Sequence, residues 1–396
     1  MPDLDVAKAR ALTPGCERVL HLNHAGASLL PQPVLDAVVD HLRLESEIGG
    51  YEAADAAAER IEHTYDSVAR LLGAAPDEIA LVDSHTTAWN AAVHAFGLGP
   101  GDRVVCTRAE YGANAITFLQ LRDRTGCEIV LIDDDTDGQV DLAALDAELA
   151  TGRVALMSLV HVPTGNGLVN PAAEVGRLCR AAQVPFVLDA CQSVGQLPVG
   201  VDEIGCDVLA ASGRKFLRGP RGTGFLYVRR SLLPRLQPAT LDLHSASWIA
   251  PDGYEVREDA RRFEQFEADV AARIGLGVAV DHALEWGIDA IAERVVPLAE
   301  GLRERLRAID GVTVHDKGAR KSAITTFKVA GVASERVVAA LRSQAINVSG
   351  VVPGYAQFDL PHRGLTDLVR ASVHYVTTED ELDRAAGAVA AIAGGA

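Results

Sequence analysis

The chain has 396 residues, 48% hydrophobic and 23% charged, with a formal net charge of −17. That length and composition describe a globular protein with room for a large domain and a smaller one. The negative charge argues against nucleic acid and anionic membrane surfaces as partners. Residues 1–15 contain acidic residues and no apolar core, which is not the pattern of a signal peptide, and no run approaches the roughly 20 apolar residues of a bilayer span. The six cysteines lack C-x-x-C spacing and suggest neither a zinc site nor a disulfide framework. The expectation is a cytoplasmic protein.

After a polar lead (1–20), the stretch His21-Leu22-Asn23-His24-Ala25-Gly26-Ala27-Ser28 is rich in turn formers and ends at Pro31. Helical periodicity predicts helices over 32–46 and 53–72, the second closed by Gly73 and Pro76. A strand–turn–helix alternation follows, with strands expected at 79–82, 103–106, 128–132, 154–160, 186–188, 208–211 and 225–228. Helices are expected between the earlier ones, at 88–96, 115–124, 142–149 and 172–182. Such alternation predicts an α/β fold, a seven-stranded, mostly parallel sheet flanked by helices. The last two strands are joined too tightly for a helical crossover, so one of them is expected to run antiparallel. Residues 238–258 read as a loop, followed by helices over 264–286 and 290–309. The remainder mixes strands (312–315, 324–329, 346–348, 369–374) with helices (334–343, 379–392). The expected division is a large domain over 21–265 and a small C-terminal α+β domain over 266–396.

In open parallel sheets, ligands gather at the carboxyl ends of strands. After the first strand come Ser84, His85, Thr86 and Thr87, a helix start that serves either an anion or an ordinary N-cap. Tyr111 follows the second strand, as an aromatic face for a ligand or a half-buried tyrosine. Thr164 lies in a polar turn after the fourth. Asp189 ends the fifth strand, where a carboxylate needs a cationic or hydrogen-bonding partner. A protonated pyridine nitrogen would serve, and so would a capping role. Gln192 and Ser193 follow it. The sixth strand runs into Ser212-Gly213-Arg214-Lys215, and a lysine at a strand end beside apolar backbone suits Schiff-base chemistry. The glycine-rich turn behind it lacks the G-K-[ST] ending of a P-loop. Gly97 to Gly101 precedes a strand, which disqualifies a dinucleotide fingerprint. Arg370 sits within a strand pattern, matched to a bidentate carboxylate ligand or to a structural salt bridge.

Asp189-x-x-Gln192-Ser193, 26 residues before Lys215 and with Thr86 upstream and Arg370 downstream, resembles the class V aminotransferase family. These are fold type I pyridoxal-phosphate enzymes such as cysteine desulfurases and isopenicillin N epimerases, and the likeness runs over about 21–392. The resemblance implies pyridoxal 5'-phosphate as cofactor, an amino-acid substrate and a homodimer. It assigns Lys215 to the covalent link with the cofactor and Asp189 to the pyridinium nitrogen. Gln192 and Thr164 would lie near the phenolic oxygen, and Tyr111 would stack on the ring and serve as a second proton donor. The His85 amide, Thr86, Ser212 and Arg214 would hold the phosphate; Arg370, with Asn23, would bind the substrate. Catalysis would rest on Lys215, Tyr111 and Asp189, with no metal.

The departures from the family pattern narrow the expectation. Arg214 and Tyr111 stand where many members have histidines, and Glu267, in the stretch that begins at Arg262, stands where desulfurases carry a threonine. No cysteine occurs after Cys206, whereas a desulfurase needs one in the C-terminal region to accept sulfur. The stretches around Glu47–Ala54, Glu110–Gly112 and Arg214–Gly222 look most like the branch of hercynylcysteine sulfoxide lyases and lincosamide-pathway enzymes that process S-linked cysteine. The expected activity is therefore C–S β-elimination from an S-substituted cysteine or its sulfoxide. The alternatives are a decarboxylating deaminase of a cysteine conjugate, an epimerase or an aminotransferase. A non-catalytic ligand-binding protein is disfavoured by Lys215, Asp189 and Arg370 occurring together.

Overall fold

The computed structural model describes residues 4–395, so the first three residues of the polar lead lie outside it. Seven strands build the main sheet: β1 Ile79–Val82, β2 Arg103–Thr107, β3 Glu128–Ile132, β4 Val154–Val160, β5 Phe186–Asp189, β6 Val208–Ser212 and β7 Gly224–Val228. Their order across the sheet is β1-β7-β6-β5-β4-β2-β3. Every pairing is parallel except those of β7, which runs antiparallel to both neighbours. The short β6–β7 connection therefore reverses the chain, as its length demands.

Side chains alternate across a strand, and here both faces are covered. Ile79, Leu81, Leu188, Leu209 and Phe225 feed one core. Ala80, Val82, Val187, Val208 and Leu226 feed the other, against Trp89 and Phe118. The strands thus read as continuous apolar runs, and their last residues emerge together at the carboxyl edge.

A second, antiparallel sheet has the order Val312–Val314, Ile324–Val329, Leu368–Ser372, Ser349–Val351. Arg370 lies mid-strand between Thr326 and Ser349. Leu20–His21 pairs in parallel with Ile346–Asn347, and Asn23 bridges Ser372. This pairing carries the turn formed by residues 23–28 to the edge where the main sheet ends. No helix among the described residues is long and apolar enough to cross a membrane.

Four expectations need correction. The helix expected over 53–72 divides at Ala57 into Gly50–Ala56 and Ala58–Leu72. The supposed loop 238–258 contains a hairpin, Ala246–Ala250 with Gly253–Val256. Its residues are mostly exposed on both faces, so it carries no alternating pattern to read. The third concerns the helix expected from 264. It starts at Val270, where the Asp269 carboxylate accepts from the Ala272 amide. Glu264 is instead extended and buried, accepting from the Tyr65 hydroxyl and the Leu81 amide and facing Arg273 at 3.2 Å. Finally, the strand expected over 346–348 is two short ones, Ile346–Asn347 and Ser349–Val351, serving different sheets.

Candidate active site

The residues that end or follow β1, β2, β4, β5 and β6 meet at one site. At its β1 side the helix His85–His94 begins, with the Ser84 hydroxyl accepting from the Thr87 amide at 3.1 Å. The His85 amide donates to Ser212 Oγ at 3.3 Å, and Thr86 is exposed on the same first turn. The helix start is pressed against β7: a Cβ on Gly224 would lie 2.7 Å from the Ser84 carbonyl carbon and 3.0 Å from the His85 nitrogen. First-turn amides at the positive end of a helix, beside a hydroxyl, form a set of donors for an anion.

Asp189 lies at the pocket floor, 3% exposed. Its Oδ1 accepts from the Cys191 amide at 2.9 Å and stands 3.2 Å from His85 Nε2, an ion-pair distance without full hydrogen-bond alignment. Its Oδ2 accepts from Asn114 Nδ2 at 2.9 Å. Burial would raise the pKa of this carboxyl, but the charges of His85 and Lys215 and the Cys191 amide outweigh it and hold it at about 2. Asp189 is thus an anion at neutral pH, able to keep a facing pyridine nitrogen protonated. For His85 the order is the same: burial opposes its charge, Asp189 outweighs burial, and the pKa is raised. Cys191 sits in this field as well. Burial would raise its pKa, but Lys215 and His85 bring it below the usual thiol value. Ligand-type atoms of His85, Asp189 and Cys191 lie within 4.8 Å of one another. Because both Asp189 oxygens already accept hydrogen bonds, we read the three as the floor of the cofactor pocket.

Lys215 follows β6, half-buried, with its Nζ 6.0 Å from the centre of the Tyr111 ring. Burial, then Cys191 and Asp189, push the Tyr111 phenol above its usual pKa, so it carries its proton at neutral pH. On the far side of the pocket Arg370 donates to Thr164 Oγ1 and, at 3.3 Å, to Asn23 Oδ1. Its Nε is buried without a partner, and among the described residues no acidic side chain pairs with it, which removes the structural salt bridge as its explanation. Burial, reinforced by Arg214, brings the guanidinium down to about 10, still a cation at neutral pH. Gln192 Nε2 donates to the Ala25 carbonyl at 3.0 Å and approaches Thr164 Oγ1 at 3.5 Å, leaving its buried Oε1 unpartnered.

The structure therefore brings together His85, Thr86, Ser212, Asp189, Tyr111, Lys215, Gln192, Thr164, Asn23 and Arg370. It does not bring Arg214 to the phosphate-type donors. That guanidinium donates to the Gly26 carbonyl and acts on Tyr111 and Arg370. Arg262 donates to the Leu233 carbonyl at 3.1 Å and is buried away from the pocket. Glu267 lines a separate cleft with Asp83, Thr87 and Arg273. Sequence reasoning missed the side chain of His85, whose amide alone was considered, and the buried Glu110, Asn114 and Ser158. The one available signal was the spacing Glu110-x-x-x-Asn114, which sets two polar groups on one side of a helix start.

These groups fit pyridoxal phosphate: an anion for the ring nitrogen, anion donors about a helix start, a ring beside the lysine, and an unpaired cation for a carboxylate. The aminotransferase class-V family model matches residues 20–385. The chain belongs to the aminotransferase class-V family. A probable hercynylcysteine sulfoxide lyase of Mycobacterium tuberculosis is 33% identical over 94% of this chain and 90% of its own. A probable cysteine desulfurase of Halobacterium salinarum is 30% identical over 98% of this chain and 96% of its own. Among solved structures, the apo cysteine desulfurase of Thermococcus onnurineus superposes with a TM-score of 0.91 at 24% identity, covering 98% of both chains. The fold is that of fold type I enzymes, and this class-V member is a pyridoxal-phosphate-dependent enzyme.

Proposed function

We propose that this enzyme is a carbon–sulfur β-lyase for an S-substituted L-cysteine or its sulfoxide, releasing a thiol or sulfenate, pyruvate and ammonia. The observation that carries the reading is the placement of Lys215 beside a protonated Tyr111, across from an Arg370 without an acidic partner. The lack of any cysteine after Cys206 supports a lyase over a sulfur-relaying desulfurase. So does the similarity to the mycobacterial sulfoxide lyase.

Asp189, Lys215, Gln192, Ser212, Thr86 and the His85 amide would hold the cofactor. When bound, pyridoxal phosphate supplies an electron sink for a carbanion at Cα. Arg370 and Asn23 bind the substrate carboxylate and orient its Cα–H bond. The Lys215 amine takes the Cα proton. The electron pair of that bond forms a Cα–Cβ double bond as the Cβ–S bond breaks and sulfur leaves with its electrons. The Tyr111 hydroxyl protonates the departing sulfur. The 2-aminoacrylate product then takes up water, giving pyruvate and ammonia.

The reading includes a cofactor-binding domain over 21–265, a smaller domain over 266–396, a homodimer and a cytoplasmic site of action. Two separate sheets and six free cysteines are consistent with it. A panel of S-alkyl cysteines and their sulfoxides tests the reaction type. Pyruvate with thiol or sulfenate is the expected outcome. Carbon dioxide with an aldehyde would instead identify a decarboxylating deaminase.

A further inference from the structure

Beneath the pocket lies a carboxyl group that the mechanism above does not use. Glu110 is 1% exposed, just beyond the end of β2. Its Oε1 accepts from the Tyr111 amide at 2.9 Å and from Asn114 Nδ2 at 2.9 Å. Its Oε2 accepts from the Ser158 hydroxyl on β4, also at 2.9 Å. The same Asn114 nitrogen donates to Asp189 Oδ2 on β5 at 2.9 Å. One carboxamide therefore joins two buried carboxyl groups, and both of its N–H bonds are spent. Because both acceptors are carboxyl oxygens, the amide cannot be flipped without setting its own oxygen against them.

We propose that Glu110 is a positioning residue for the cofactor: it locks Asn114 so that the carboxamide aims and holds the Asp189 carboxylate, while its bond to the Tyr111 amide fixes where that ring begins. The proposal rests on Asp189 being the partner of the pyridine nitrogen. The groups facing Glu110 are Cys106 from β2, Ser158 from β4, Asp189 from β5, and Asn114 and Tyr111 from the helix start. Two carboxyls one amide apart, both out of water, oppose each other's ionisation. His85 and Lys215 stand on the Asp189 side, so Asp189 takes the charge. Burial first, and Asp189 after it, then push Glu110 up to about 7 against the hydrogen bonds it accepts. A buried network of this kind is worth its geometry only when every member is present.

The test compares holoenzymes of the wild type, Glu110→Gln, Glu110→Ala, Asn114→Ala and Asp189→Asn. The readouts are the pH dependence of the visible absorption of bound pyridoxal phosphate and the dissociation constant of the cofactor. Asp189→Asn is expected to displace the absorption midpoint and weaken the cofactor. Glu110→Ala and Asn114→Ala are expected to move the midpoint in the same direction by a smaller amount and to weaken the cofactor roughly tenfold. Glu110→Gln keeps the volume and an acceptor; it should restore most of the affinity while flattening the profile near neutrality. If Glu110→Ala fails to fold, Asn114→Ala and Glu110→Gln decide. Should Asp189→Asn alter the spectrum while the Glu110 and Asn114 variants follow the wild type, Glu110 positions nothing. A silent Asp189→Asn would overturn both the proposal and the role of Asp189 on which it stands.

Discussion

Arg370 and Glu110 are the side chains whose environments yield the sharpest numbers. Arg370 stays charged until about pH 10, so kcat/KM is expected to fall as pH rises through that value and the substrate carboxylate loses its cation. A pH–rate profile flat across that range would remove Arg370 from substrate binding. Glu110 holds its proton more tightly in the native state, at about 7 against an ordinary 4.5. Its contribution to stability is thus complete below 4.5 and is lost as pH rises through 7, amounting to about 3 kcal/mol. Glu110→Gln should abolish that slope, which denaturant titrations at about pH 5 and about pH 8 will check; unchanged slopes would contradict it. At this scale Asp189, at the end of β5, and Lys215, three residues past β6, stand out by their places after apolar strand runs. The family resemblance is what gave them their roles over a capping carboxylate and a loop lysine. The His85 imidazole and the Glu110–Asn114–Asp189 chain were not legible. Their meeting depends on the register of β2, β4 and β5, which no local pattern encodes.

At the level of elements, the approach of the His85–His94 helix to β7 governs the anion end of the pocket. A methyl at Gly224 would meet backbone atoms at 2.7 Å and 2.8 Å, from Ser84 and Ala211, and backbone yields less readily than a side-chain tip. Gly224→Ala is expected to push the helix start away and to weaken the cofactor at least tenfold, at a cost of about 1–3 kcal/mol in stability. Equilibrium dialysis and thermal unfolding measure the two effects. An unchanged cofactor affinity would separate that contact from phosphate binding. The seven strands of the main sheet were read from sequence to within a residue at each end, since runs such as Val208–Ala211 are apolar on both faces. The Ala246–Val256 hairpin escaped because it projects Trp248 and Tyr254, 73% and 63% exposed, instead of burying a face. Glu264 was misread as the first residue of a helix because only its tertiary partners, Tyr65 and Arg273, reveal its role.

At the scale of the whole molecule, that hairpin bears on assembly. Trp248 and its cross-strand partner Tyr254 expose 73% and 63% of their surfaces, an apolar pair on one face of the hairpin in a chain of net charge −17. In our reading this face is covered by a second copy. Sedimentation is expected to give twice 41.8 kDa, and a Trp248→Glu, Tyr254→Glu double variant should give monomers. A fully active monomeric wild type would contradict the homodimer. The α/β class and the order of strands and helices followed from alternation of pattern along the chain. The pairing of the turn 23–28 with the C-terminal sheet did not, because it joins segments more than 300 residues apart. Yet that pairing delivers Asn23 and Arg370 to the pocket.

In the proposed reaction, Lys215 and its neighbours drive β-elimination from an S-substituted cysteine. The most direct test is the co-product balance of the holoenzyme turning over an S-alkyl-L-cysteine sulfoxide, with Lys215→Ala as the control. One pyruvate for each sulfur fragment released, and none from the Lys215→Ala variant, is the predicted result. Alanine appearing in place of pyruvate, or carbon dioxide released without it, would rule that reaction out.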